Sequence, residues 1–301
     1  MESSNQEENE YRNMSNEPVD DDNETAPSLS DKNVLNVIFY ILNIIITYGI
    51  DVAGWFGAGS NGFISAKYQT IITPKSTAFS IIWAVIFASQ AIFVVAQLLP
   101  KYRAHPMVAF GVGHWYIAVC IFQIGWTFVF SFELIPISML LMGTLWITLL
   151  ILLFSQYGTT SDGTPEEFWL LRFPFDVHAA WITAAAVVNA NVVVVWSMES
   201  EAIQLLIGII SLVLLYIISV CALYVTETPN YTVAIVLSWS NFWIFSELWS
   251  KQGRIVNIFG ETVVNRVAFA ALSVSVIILI QAFVKFKGKR SGVNNATDLE
   301  A

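Results

Sequence analysis

Charge is scarce in this sequence: Asp, Glu, Lys and Arg make up 12% of its 301 residues, while 56% are hydrophobic and the mean hydropathy is +0.63. Soluble domains carry about a quarter of their residues as charges, so the shortage excludes an ordinary water-soluble fold. Cysteine is nearly absent. Cys120 and Cys221 both sit inside apolar runs, which excludes a disulfide framework or a thiolate metal site and leaves them as small buried hydrophobes. The N-terminus lacks both the basic stretch and the apolar run of a cleavable signal, and its acidity excludes an Arg-rich presequence. The first apolar span is therefore expected to serve as its own targeting signal. No nucleophile and base pair, phosphate loop or metal motif is present, so no enzymatic activity and no metal are expected, nor is a nucleic-acid partner. No internal repeat is evident.

Long apolar stretches, by contrast, follow one after another. A spanning helix needs about 20 mostly apolar residues to cross about 30 Å of hydrocarbon, and this template fits near 34–50, 77–99, 107–131, 135–154, 174–196, 202–225, 230–250 and 264–285. Prolines 74, 100, 106, 136, 174 and 229 fall at the ends of these segments, where a residue without an amide donor starts or stops a helix. The expected fold is all-α, a polytopic transmembrane bundle of about eight spans in a lipid bilayer.

The net charge of −9 is local. Residues 1–31 hold ten acids against one base, Arg12, and the remaining 13 acids and 13 bases cancel. A polar segment of this kind buries too little surface to offset chain entropy, so residues 1–32 are expected to form an acidic disordered tail. With both termini on one side, that side collects nine bases and the other side five, which favours cytoplasmic termini.

Three spans carry aromatic and polar residues on one face each. Phe79, Trp83, Phe87, Gln90 and Gln97 align at 100° per residue in the second; Trp115, Phe122, Trp126 and Phe130 align in the third, with Gln123 beside them; His178, Trp181, Ala185, Asn189 and Trp196 align in the fifth. Two readings compete. Amides at mid-membrane depth bond across helices as glue, or they join aromatic walls in lining a ligand pocket. Trp55, Trp169 and Trp249, near span ends, read as interfacial belt residues. His114 and His178 lack the paired spacing of a metal or haem site. Glu247 is either an intramembrane carboxylate or a span-end residue facing water.

The segment Ile72–Trp83 (ITPKSTAFSIIW), the run Gln123-Ile-Gly-Trp126 with Phe130, and the run from Pro174-Phe175 through Trp181 and Ala185 to Asn189 resemble the TspO/MBR family, the tryptophan-rich sensory proteins related to the mitochondrial translocator protein. The likeness is to long members with extra C-terminal helices. Gln123 stands where an asparagine is usual, and only Pro74 stands in the stretch between the first and second spans. The resemblance implies a five-helix core at 33–198, a three-helix extension at 199–286 and a polar tail at 287–301. It implies a pocket for a flat hydrophobic ligand, a tetrapyrrole such as protoporphyrin or haem, or a sterol, with no required cofactor. The residues expected to line it are Phe79, Trp83, Phe87, Trp115, Gln123, Trp126, Phe130, His178, Trp181, Ala185 and Asn189. A homodimer is left open, as is a small-molecule transporter or channel.

Overall fold

A computed structural model describes residues 27–226, 228–250 and 253–297, with side chains described as far as residue 288. Eight long helices carry the fold: α1 Asp31–Asp51, α2 Ser76–Ala96, α3 Trp115–Ser131, α4 Ile135–Tyr157, α5 Phe173–Trp196, α6 Glu201–Tyr224, α7 Tyr231–Trp249 and α8 Glu261–Thr297. There is no strand among the described residues. The expected disordered tail lies outside them up to residue 26, and α8 remains helical past the expected boundary at 286.

Six helical segments are long and apolar enough to cross a membrane, α5 together with the turn that leads into it, Pro165–Trp196. α3 is apolar but only 17 residues long. α7 has the length but not the hydropathy, because it turns Ser238, Ser240 and Asn241 inward. Starts are set by side-chain caps: Ser30 and Asn33 form a reciprocal box at α1, Ser200 accepts from Ile203 N–H at α6, and Asn230 accepts from Val233 N–H at α7, each satisfying donors with no partner in the first turn.

One span differs from expectation. The apolar run 107–131 is not a single helix: Met107–Val112 form a wide π turn, and Gly113 then adopts φ 49°, ψ −131° before α3 begins at Trp115. A side chain is strongly disfavoured there, so the backbone of Gly113 breaks a segment that hydropathy reads as continuous.

Several uncharged polar side chains face inward while many large apolar ones face outward. Gln90, Gln97, Gln123, Asn189, Asn241 and His178 are buried, whereas Ile209, Val213, Ile217, Ile277, Ile280 and Phe283 are exposed. In water this arrangement would be unfavourable by roughly 25 cal/mol for each Å² of apolar surface exposed, so the outer faces of α6 and α8 belong in hydrocarbon. Trp55, Trp169 and Trp249 lie exposed at or beside helix ends, as belt residues do.

α3 packs between α1 and α4, α5 between α4 and α7, and α7 between α5 and α8. α1 and α3 run parallel. Lys32 Nζ donates to Ala109 O at the end where α1 begins (2.8 Å); at the far end Asn61 N–H donates to Asp51, and Ser131 Oγ donates to Asn61 Oδ1 (3.3 Å).

The α4–α5 connection is clamped by charge. Arg172 Nε donates to Glu167 Oε1 (2.6 Å), and Ser161 Oγ and Asp162 N–H donate to the same carboxylate at 2.7 Å each, with Glu167 1% exposed. Hydrogen bonds from the Thr164 N–H and hydroxyl hold the Asp162 carboxyl down at about 2.

Candidate functional site

At the end of the bundle away from Asp31, a hollow of about 590 Å³ opens between α1, the short helix Asn61–Lys67, α2 and α7. That volume lies within the ordinary range of small-molecule sites. Thr47, Tyr48 and Asp51 form one wall, Phe79, Trp83 and Phe87 another, and Glu247 closes the rim. A narrower slot of about 40 Å³ continues inward, walled by Trp126, Phe130, Trp181, Ala185 and Asn189. Asn61, Ser65, Pro74, Phe79 and Trp83 line both spaces, so the slot opens from this vestibule.

The slot walls hold one another in place. Trp126 stacks on Phe130 (centroids 5.0 Å, 19°), and its Nε1–H donates to Asn189 Oδ1 at 2.9 Å; Asn189 Nδ2 donates to Ser138 Oγ at 3.2 Å. Asn189 therefore serves both as interhelical glue and as lining. Trp181 is 1% exposed, edge-on to Phe79 (5.3 Å, 87°) and backed by Trp239 of α7 at 6.2 Å. Trp83 stacks on Phe87 at 5.5 Å.

Long-range bonds secure the roof. Gln69 Nε2 donates to Glu247 Oε1 (2.9 Å), the Lys75 N–H donates to Trp243 O (3.2 Å), and Lys67 pairs with Glu133, which also accepts from Tyr68 OH at 2.7 Å. The bonds from Lys67 and Tyr68 hold the Glu133 carboxyl below its usual range, and the same pair raises the Lys67 ammonium. Through Glu247, Trp239 and Trp243, α7 of the extension thus shapes the site.

Of the eleven residues expected from sequence, eight line these spaces: Phe79, Trp83, Phe87, Trp126, Phe130, Trp181, Ala185 and Asn189. Three do not. Trp115 is 39% exposed at the start of α3. His178 is buried below the cavity, its Nδ1 2.9 Å from Gln90 Nε2, while Tyr116 OH donates to Gln90 Oε1 (3.2 Å). Gln123 is buried away from both spaces. Sequence reasoning did not place Asp51, Asn61, Gln69 and Lys75, which lie in or beside connections and carry no periodic signal.

Among the described residues, one cluster has the makings of a metal site: His105, Asp162 and Glu167, at the opposite end. Its donors are already used. His105 Nδ1 accepts from Met107 N–H (3.1 Å), which leaves the proton on Nε2 facing Asp162, and Glu167 is saturated by the clamp described above. The cluster is a structural tie.

The chain is thus a polytopic helical membrane protein with an aromatic hollow between helices at one end, of a volume that suits a small molecule. A family model described as TSPO-like protein matches residues 33–284, and the chain belongs to that family. The match runs through α6 and α7 into α8, so the extension lies within the family pattern. Comparison with curated proteins and with solved structures gives no match.

Proposed function

We propose that this protein binds a flat hydrophobic ligand, a tetrapyrrole or a sterol, in the vestibule, with one edge of the ligand toward the slot, and that its role is binding or sensing, not catalysis. The observation that carries this reading is the convergence of Phe79, Trp83 and Phe87 on a hollow of about 590 Å³ that continues into the slot of Trp126, Phe130 and Trp181. Such walls offer dispersion contact and ring stacking to a planar molecule. The slot alone is too small for a ring system, so the vestibule takes most of the ligand. With cytoplasmic termini, the site faces the other side of the membrane. Protoporphyrin titrated into the purified protein is expected to quench tryptophan fluorescence saturably, and Trp83→Ala is expected to weaken binding about tenfold through lost stacking. Linear, non-saturating quenching that is unchanged in Trp83→Ala would refute the reading.

Glu247 supports a second reading, since a carboxylate at the rim of an intramembrane hollow is also what a transporter of small molecules uses. In liposomes, that reading expects protoporphyrin flux which falls in Glu247→Gln; equal flux in both proteins counts against it.

A further inference from the structure

Among the described residues, three charged side chains line the vestibule: Asp51, Lys75 and Glu247, two carboxylates against one ammonium. The two carboxylates are not equivalent. Glu247 accepts from Gln69 Nε2 and lies within electrostatic reach of Lys75, which offsets its charge. Asp51, half-buried at the end of α1, has no cation within reach among the described residues. Its Oδ1 accepts the N–H of Asn61 at the start of the short helix, and its Oδ2 has no hydrogen-bond partner among those residues. A carboxylate drawn partly out of water with no cation beside it is costly, so a positive group that enters the hollow gains what the chain does not supply.

Aromatic rings flank that charge. Thr47 and Tyr48 precede Asp51 by four and three positions, which puts all three on one face of α1, and all three line the vestibule. The Tyr48 ring lies 5.8 Å from that of Phe87, and Phe87 stacks on Trp83 at 5.5 Å, so a run of three rings crosses from α1 to α2. Ring faces attract cations, and the attraction grows where water is excluded. A bare metal ion needs several oxygen ligands drawn together, and Asp51 belongs to no such cluster. The surroundings of Asp51 suit an organic cation, whose apolar body the rings can hold.

We propose that the vestibule favours flat hydrophobic ligands that carry a positive charge, a protonated amine or a cationic ring nitrogen, with Asp51 as the counter-charge and Tyr48, Phe87 and Trp83 as the ring wall. The proposal rests on the reading that the vestibule holds a flat hydrophobic ligand, and it adds the sign of charge that the site prefers. An acidic group gains least, because Lys75 already answers Glu247.

Acridine, 9-aminoacridine and acridine-9-carboxylate share one flat ring system and are neutral, cationic and anionic around neutral pH. Equilibrium dialysis against the full chain in a non-ionic detergent gives each affinity independently of the probe's optical properties. 9-Aminoacridine is expected to bind about tenfold more tightly than acridine, and the carboxylate most weakly. Asp51→Asn keeps an acceptor for the Asn61 N–H and removes the charge, so 9-aminoacridine is expected to fall to the affinity of acridine while acridine itself is unchanged. Equal affinity for the three compounds in the native protein, or tightest binding of the carboxylate, would overturn the proposal without any variant. A preference for the cation that survives Asp51→Asn would do the same, as would an equal loss for acridine and 9-aminoacridine, which would make Asp51 a tie for the short helix alone. If none of the three binds while protoporphyrin quenches saturably, the charge preference falls and the vestibule reading stands; if protoporphyrin fails as well, the vestibule reading itself falls.

Discussion

Trp181→Ala is expected to destabilise the bundle by about 3–5 kcal/mol, the range for truncating a fully buried large aromatic side chain. Its indole fills the space between Phe79 of α2 and Trp239 of α7, so truncation opens a cavity where the five-helix core meets the extension. Helices in a bilayer gain no hydrophobic drive toward each other, since lipid is as apolar as the helix face, and shape-matched packing carries the association. The cavity therefore falls on the interaction that matters most. Denaturation in mixed micelles measures the loss. Trp181→Phe, which keeps an aromatic ring against Phe79, should recover a substantial part of it, and near-native stability in Trp181→Ala would mean that the α5–α7 seam is not packed as described.

Arg172→Ala is expected to cost a comparable amount, about 3–5 kcal/mol, because it strands a carboxylate in a closed environment. Glu167 is 1% exposed and meets Arg172 Nε at 2.6 Å. The remaining donors, Ser161 Oγ and Asp162 N–H, do not neutralise the charge. The double variant Arg172→Ala, Glu167→Gln should be less impaired than Arg172→Ala alone, since the isosteric amide keeps an acceptor for Ser161 without the charge. Equal loss in the single and double variants would show that Arg172 acts through packing.

The slot was legible in the sequence to the extent that angular position about a helix axis decides it. Trp83, Trp126, Trp181 and Asn189 lie on inward stripes, and the structure brings them together. Periodicity gives the angle but not the depth. His178 precedes Asn189 by eleven residues, about 16 Å along the axis, and it pairs with Gln90 beneath the cavity instead of lining it. Trp115, eleven residues before Trp126, is likewise on the stripe but at the wrong height. The rim was less legible because it depends on contacts across long stretches of chain: Gln69 meets Glu247 across 178 positions, and no local pattern encodes that meeting. Glu247 was recognisable as a candidate carboxylate; its position above the vestibule follows only from how α7 docks on α5 and on the connection leading into α2. The break at Gly113 was hidden for a different reason, since hydropathy does not register φ.

Occupancy of the vestibule between α1, the short helix Asn61–Lys67, α2 and Glu247 by the proposed ligand can be read from a single side chain. Ser65 lines both the vestibule and the slot mouth, so alkylation of Ser65→Cys by a water-soluble maleimide, in a background with Cys221→Ser, reads occupancy directly; the other native thiol, Cys120, is buried. Saturating protoporphyrin or its dimethyl ester is expected to slow that alkylation severalfold while leaving a cysteine at the exposed Met198 unaffected. Equal protection at both positions, or none at Ser65→Cys under conditions where the ligand is bound, would place the ligand elsewhere and contradict the account.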